Sequence, residues 1–450
     1  MFHKKCVRPS FLFLLLGLLL AACQQAAQSP KPTSEFPAEV ATSWFELQLR
    51  LIRETPGFAP PVASRALGYS GVTLYESVVG GMPAEYKSLV GQLNDLTSLP
   101  QPEAGQAYYW PAVANSAQAT LLRSLYPTAT PENLAAIDTL EQKYAEQYKA
   151  EAGEEVFNRS AAYGKALAES IFEWSKTDGG HEGYSKNFPE NFSPPSGPGM
   201  WVPTAPNYQA IPLQPYWGQN RPFVVKSGEE CAPPPPTEYS EDPSSQFYAE
   251  GMEVYKIVKN LTPEQKEIAL FWADDPGKTL TPPGHSVSIA TQILREKNAT
   301  LALAAETYAK VGMAVADAVI GCWNTKYTYN VIRPISYIQT VIDPTWNKPD
   351  ITDPVTTPPF PEYTSGHSAQ SGAAATVLTA LFGDNYRFTD NTHAERGLPA
   401  RTFNSFFDAA DEAAVSRVYG GIHYRPSIEL GLEQGECIGE KVNALAGAGY

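Results

Sequence analysis

Long apolar runs are the first thing missing from this 450-residue chain. Beyond residues 11–22, no segment reaches the ~18 uninterrupted apolar residues that a membrane-crossing helix needs. The best candidate, residues 300–323, is broken by Glu306, Lys310 and Asp317. An enzyme whose site lies between spanning helices is therefore disfavoured. Positive charge is also scarce. Lys and Arg number 33 against 48 Asp and Glu, a formal net charge of −15. Such a surface repels nucleic acid. Any cluster of cations is a local exception that needs a reason. Cysteine is rare, with 5 residues, and none has zinc-ligand spacing. Cys231, Cys322 and Cys437 allow one disulfide whose pairing stays open. Cys322, one turn before Lys326, reads as a small core residue. No convincing strand alternation occurs, and no haem or flavin motif.

What is present begins with Lys4, Lys5 and Arg8, then an apolar run to Ala22. A basic start, a short apolar stretch and small residues before the break predict a secretory signal over residues 1–22. Leu20-Ala-Ala-Cys23 resembles the bacterial lipobox, which implies lipid modification of Cys23. Gln24 in the following position implies the outer membrane or its periplasmic side. Residues 23–40 read as a flexible tether. Residues 41–178 are mainly helical in periodicity, with Thr130-Pro131-Glu132 opening one helix. Residues 179–246 are rich in Gly, Pro, Asn and aromatics, and predict a long ordered loop rather than a linker. Helices resume at Thr262-Pro263-Glu264-Gln265, a capping-box pattern. Further helices are predicted over 286–297, 300–332, 368–382, 404–419 and 428–446. The fold expected is all-α, with a C-terminal helical bundle over 247–450 packed on the N-terminal helical domain.

Three segments of the C-terminal part carry chemistry. They are Lys326 to Pro334 (Lys-Tyr-Thr-Tyr-Asn-Val-Ile-Arg-Pro), Tyr363 to His367 (Tyr-Thr-Ser-Gly-His) and Ser416 to His423 (Ser-Arg-Val-Tyr-Gly-Gly-Ile-His). They supply three permanent cations (Lys326, Arg333, Arg417), the hydroxyl of Ser365, the amide of Gly366, and two histidines, His367 and His423. This set suits a tetrahedral oxyanion such as phosphate or vanadate. A seven-residue spacing puts Lys326 and Arg333 on one face of a helix that Pro334 ends. Thr364 or Ser365 is predicted to cap the next helix, whose free N–H groups form an anion site. Gly420-Gly421 should turn His423 into the same cavity.

In this order the three motifs resemble the signature of the superfamily of vanadium-dependent haloperoxidases and type 2 phosphatidic acid phosphatases, with the haloperoxidase branch nearer. Trp323 and the Pro358-to-Tyr363 approach to Ser365 fit that branch. The resemblance implies that Lys326, Arg333, Ser365, Gly366 and Arg417 bind vanadate oxygens. It implies that His423 is the axial ligand on vanadium, with His367 as the acid/base residue. Phe360 would border the halide pocket, and Asp275, after Phe271-Trp272, would brace Arg417. Two positions depart from the pattern. Thr364 stands where proline is usual, and Ser427 stands near a usual aspartate, so Ser427 or Glu429 would have to support His423. His285 either lines the pocket or hydrogen-bonds in a turn. His181 and His393 read as surface residues.

The activity implied is oxidation of halide by hydrogen peroxide at vanadate, with a small organic acceptor and Lys326 polarising the oxidant. Phosphate would fit the same site. The chain would be tethered by lipid at Cys23, bind no nucleic acid and admit a homo-oligomer. An acid phosphatase with a phosphohistidine at His423 is the alternative. A non-catalytic surface lipoprotein is a third reading.

Overall fold

The computed structural model describes Phe2 and residues 31–346 and 355–447. The predicted signal segment and Cys23 lie outside the described residues. Thirteen α-helices are present among those described: α1 (Glu39–Glu54), α2 (Pro60–Val78), α3 (Trp110–Leu125), α4 (Pro131–Ala152), α5 (Glu154–Ser175), α6 (Gln246–Lys259), α7 (Pro263–Phe271), α8 (Thr281–Glu296), α9 (Leu301–Tyr329), α10 (Pro334–Tyr337), α11 (Gly366–Phe382), α12 (Phe406–Tyr419) and α13 (Arg425–Asn443). The fold is all-α. Two three-residue strands, β1 (Phe388–Asp390) and β2 (Arg401–Phe403), form a small antiparallel pair.

Local signals start the helices. Thr130 Oγ1 accepts from Asn133 N, with Pro131 at the first position of α4. Thr262 and Gln265 make the reciprocal capping box of α7. α8 begins five residues before the predicted start, because two prolines are tolerated in a first turn that needs no N–H donors.

α9 is buried along nearly its whole length and is the axis of the molecule. α2 lies along it so closely that a Cβ on Gly312 would stand 2.7 Å from the Leu67 carbonyl oxygen. α11 and α13 approach as tightly, since a Cβ on Gly372 would reach 2.6 Å from the Leu432 carbonyl oxygen. One apolar cluster runs from Phe36 to Val442, so N-terminal and C-terminal helices share a core.

Residues 179–246 have only two short 3-10 turns. The segment is nevertheless anchored. Trp201, Trp217 and Phe223 are buried. The buried carboxylate of Asp317 on α9 accepts the backbone N–H groups of Phe223, Val224 and Val225 at 2.6, 2.8 and 3.2 Å. A disulfide between Cys231 and Cys437 ties the segment to α13, and Cys322 is free and buried. The ordered loop inferred from the aromatic content is therefore a strap across α9.

Candidate oxyanion site

The site forms where four chain turns meet around the last turn of α9. Lys326 has no exposed surface, and its Nζ donates to the carbonyls of Pro361, Glu362 and Thr364 at 3.0, 2.8 and 2.5 Å. α9 then ends at Tyr329, because Asn330 adopts the left-handed conformation (φ 51°). This corrects the expectation that one helix face carries both cations. Arg333 is extended (φ −73°, ψ 149°), as a residue before proline prefers, and starts α10. Its Nε donates to the Phe360 carbonyl at 2.8 Å and its Nη1 to the Ile422 carbonyl at 2.8 Å. Nη1 also stands 3.2 Å from His423 Nε2. Nη2 is buried without a partner.

Ser365 caps α11 by accepting from Ser368 N at 3.3 Å, and its own N–H donates to the Ser427 carbonyl at 3.0 Å. Gly366 and His367 therefore occupy the first helical positions, where N–H groups point outward. Arg417 is buried at the end of α12, with Nε on Ser416 Oγ at 2.9 Å and Nη2 on the Ala269 carbonyl at 3.3 Å. Gly421, at φ 68°, turns the chain into His423.

His423 Nδ1 lies 2.6 Å from Glu362 Oε1, which also accepts the Tyr424 N–H at 3.0 Å. Ser427 Oγ is 3.4 Å from the same nitrogen, and Glu429 is exposed. The support for His423 is thus Glu362, with Ser427 secondary. This corrects the expectation of Ser427 or Glu429. With its proton held on Nδ1, His423 turns the Nε2 lone pair inward.

Asp275 is half-buried, and its carboxylate pairs with Lys278 at 3.3 Å. No ion pair joins it to Arg417 among the described residues. Asp274, one residue earlier and fully buried, is the carboxylate that acts most strongly on Arg417, with Asp275 second. The chain turns at Asp274 in the left-handed region (φ 46°), which sends the two carboxylates in different directions. His393 is buried rather than at the surface, 3.2 Å from Asp274. His285 is buried between Asp274 (2.8 Å) and Asp390 (2.7 Å). Burial opposes its charge, but the two carboxylates raise its pKa to about 10. His181 is half-buried.

Trp323 donates from Nε1 to the Leu213 carbonyl at 3.3 Å and packs on Phe360, with ring centroids 5.0 Å apart. Phe360 turns its ring to both Lys326 (5.1 Å) and Arg333 (4.9 Å). Gly366, His367, Arg417, His423, Trp323 and Phe360 line a cavity of about 970 Å³. Lys326, Arg333 and Ser365 are fully buried and do not themselves line it, though Lys326 and Arg333 lie against the ring of Phe360, which does.

The electrostatics point one way. Burial lowers Lys326 to about 8 and Arg333 and Arg417 to about 10, and neighbouring Arg333 lowers Lys326 further. Burial, then the surrounding cations, puts His423 well below its ordinary value. Burial, then Arg417, does the same to His367, so both rings are neutral. Burial raises Glu362 to about 7, against the pull of Arg333 and Lys326. Three buried cations therefore face two buried carboxylates, Glu362 and Asp274. Arg333 Nη2 and His367 Nε2 are both buried without a partner, and His367 lines the cavity. A multivalent oxyanion resolves the surplus charge and both orphans. The donor set thus fits vanadate.

Residues 306–448 match a family described as the second helical-bundle domain of VCPO. The chain is 23% identical, over 505 aligned positions covering 88% of this chain and 81% of the relative, to the vanadium chloroperoxidase of Curvularia inaequalis. Its structure is similar to that of a bacterial vanadium-dependent iodoperoxidase, with a TM-score of 0.81 and 38% identity over 92% of this chain and 97% of the other. A bacterial vanadium-dependent chloroperoxidase in its holo form has the same fold, with a TM-score of 0.63 and 16% identity over 92% and 93%.

Proposed function

The chain belongs to the vanadium-dependent haloperoxidase family, and on that premise we propose that this enzyme oxidises iodide with hydrogen peroxide. The observation that carries the reading is a buried histidine, His423, held by Glu362 at Nδ1, with Arg333 3.2 Å from its Nε2 and the charges of Lys326 and Arg417 also acting on it. The choice of iodide rests on the 38% identical relative, itself an iodoperoxidase.

Vanadate, when bound, supplies a Lewis-acidic pentavalent centre. His423 Nε2 would be its protein ligand, with Arg333, Arg417, Ser365 and the Gly366 N–H on its oxygens, while Lys326, whose Nζ is already held by three carbonyls, would act on them through its charge rather than by a direct hydrogen bond as the sequence suggested. The chain's own residues do the remaining work. Glu362 keeps the proton on His423 Nδ1 and so keeps Nε2 a donor of electrons. The cations neutralise the oxyanion and favour charge that develops on the peroxide oxygens. His367, neutral and unpartnered at Nε2, takes a proton from incoming peroxide and later returns one to the leaving oxygen. Phe360 and Trp323 keep bulk water from that side of the pocket.

The same proposal places the enzyme outside the cytoplasm, exported and lipid-anchored at Cys23. The Cys231–Cys437 disulfide supports an oxidising compartment. No helix of the described residues is long and apolar enough to cross a membrane.

The test uses protein from residue 24 onward, freed of phosphate and given orthovanadate, peroxide and iodide, with triiodide followed by absorbance. Turnover should depend on vanadate and fall at least about 100-fold in His423→Ala. Protein that binds vanadate, oxidises no halide and hydrolyses an aryl phosphate would instead be a phosphatase.

A further inference from the structure

A second constellation adjoins the oxyanion pocket and shares one member with its wall, Asp274, which lines the cavity and acts on Arg417; none of its residues is among the groups that would touch the oxyanion. Asp274 follows α7, His285 lies near the start of α8, Asp390 ends β1, and His393 lies between β1 and β2. Their side chains are between 0% and 2% exposed. One ligand atom from each of Asp274, His285 and His393 lies within 4.8 Å of the others.

The contacts are not all ordinary hydrogen bonds. Asp274 Oδ1 and His393 Nε2 are 3.2 Å apart, yet neither atom has a hydrogen-bond partner. Two buried polar atoms thus face each other without the angles of a hydrogen bond. In a tetrahedral site with bonds of about 2.0–2.1 Å, ligand atoms stand about 3.3 Å apart. On the other edge, His285 Nδ1 faces Asp274 Oδ2 at 2.8 Å, while its Nε2 faces Asp390 Oδ2 at 2.7 Å. A proton on Nδ1 satisfies that edge alone and leaves the His393 edge bare. One cation between the three side chains satisfies both.

We propose that Asp274, His285 and His393 form a binding site for a divalent transition-metal ion of the zinc class. Two imidazoles and a carboxylate, with no thiolate, are the donors such an ion takes. Asp390 acts as the orienting carboxylate. It holds His285 Nε2–H, so that the Nδ1 lone pair faces the ion. Binding would displace the proton from His285 Nδ1, and two carboxylates, two neutral imidazoles and one dication then sum to zero charge, which suits a buried site whose fourth ligand would be a water. The walls are aromatic: Trp272 stacks on His285 at 4.6 Å and Phe271 meets His393 edge-on at 5.2 Å. The ion would join the turn after α7, the start of α8 and the β1–β2 connection. It is separate from His423 and from the oxyanion.

The experiment uses untagged full-length protein, treated with chelator, loaded with Zn²⁺ or Co²⁺ and dialysed. Metal is counted by mass spectrometry, Co²⁺ coordination is read from visible absorption, and the thermal midpoint is followed with and without Zn²⁺. About one equivalent should be retained, with a midpoint raised by several degrees. His393→Gln should lose both the equivalent and the shift. His423→Ala should keep both, which separates this site from the oxyanion ligand. Retention by wild type below about 0.1 equivalent, or equal retention by His393→Gln, would overturn the proposal. Asp274→Asn is a second variant expected to lose the metal, and circular dichroism establishes whether each variant folds.

Discussion

A carboxylate with no exposed surface, 2.6 Å from His423 Nδ1 and 3.0 Å from the Tyr424 amide, decides which nitrogen of His423 is free. Glu362→Gln keeps the shape and removes the charge that favours the Nδ1 proton. Vanadate affinity should fall about 10- to 100-fold in Glu362→Gln and much less in Ser427→Ala, read by equilibrium titration. Equal affinities for Glu362→Gln and wild type would remove Glu362 from the role. Lys326 supplies a second prediction. Burial, and then Arg333, lower its pKa to about 8. The lysine attracts an oxyanion while protonated, so its contribution is full below that pH and lost as pH rises through it. The affinity ratio of wild type to Lys326→Met should fall toward one between about pH 7 and 9. Taking the ratio cancels the titration of vanadate itself. The cations, Ser365 and both site histidines were legible in the sequence because three short motifs hold them at fixed spacings. Glu362 was not, for it is one of 48 acidic residues and lies 61 positions from its partner. Asp274, His285 and His393 escaped for a related reason. Only the return of the β1–β2 connection over α8 brings them together.

Helix ends, more than helix bodies, place the chemistry. α11 presents Ser365, Gly366 and His367 at its start, and α12 presents Arg417 at its end. α13 begins two residues after His423 and holds Ser365 N through the Ser427 carbonyl. The register of α11 against α13 therefore sets the distance between the two histidine-bearing turns. A Cβ on Gly435 would overlap the Ala369 carbonyl and the helices would have to part. Gly435→Ala should destabilise the protein by about 1–3 kcal/mol, measured as a lower urea midpoint, and weaken vanadate binding as well. An unchanged midpoint would show that the helices can separate at no cost. Periodicity disclosed the long helices from α7 onward and a mainly helical stretch before residue 178, but it missed α6 (Gln246–Lys259), since helices were expected to resume only at Thr262. The other errors fell at helix ends. The sequence could not show that Asn330 would stop α9 before Arg333, because a left-handed cap is chosen by what the following residues must reach. Three-residue strands are too short to leave an alternation.

At the scale of the molecule, the strap over residues 179–246 and the helices it crosses behave as one body, because buried aromatics, Asp317 and a disulfide fix it to α9 and α13. The Cys231–Cys437 bridge spans 206 residues. Loop-closure entropy for that length is about 5 kcal/mol at most, and about 3–5 kcal/mol is the expected loss on replacing both cysteines by serine. Denaturant unfolding of the double variant measures it. A loss below about 1 kcal/mol would mean that the strap is held by packing alone. An all-α architecture was legible from composition and periodicity. The close joining of N-terminal and C-terminal helices through α2 and α9 was not, since it depends on small residues meeting across two helix faces.

One detail of Lys326 bears on how the pocket sorts its visitors. Nζ already donates to three main-chain carbonyls, so the ammonium group has no idle hydrogen to offer. Its influence on whatever enters is a field acting through space. A field rewards valence and is indifferent to outline. At this corner a dianion is preferred to a monoanion of the same shape, and chloride or nitrate in the surrounding medium competes poorly. Discrimination by contour falls to the arginine forks and the helix amides across the cavity.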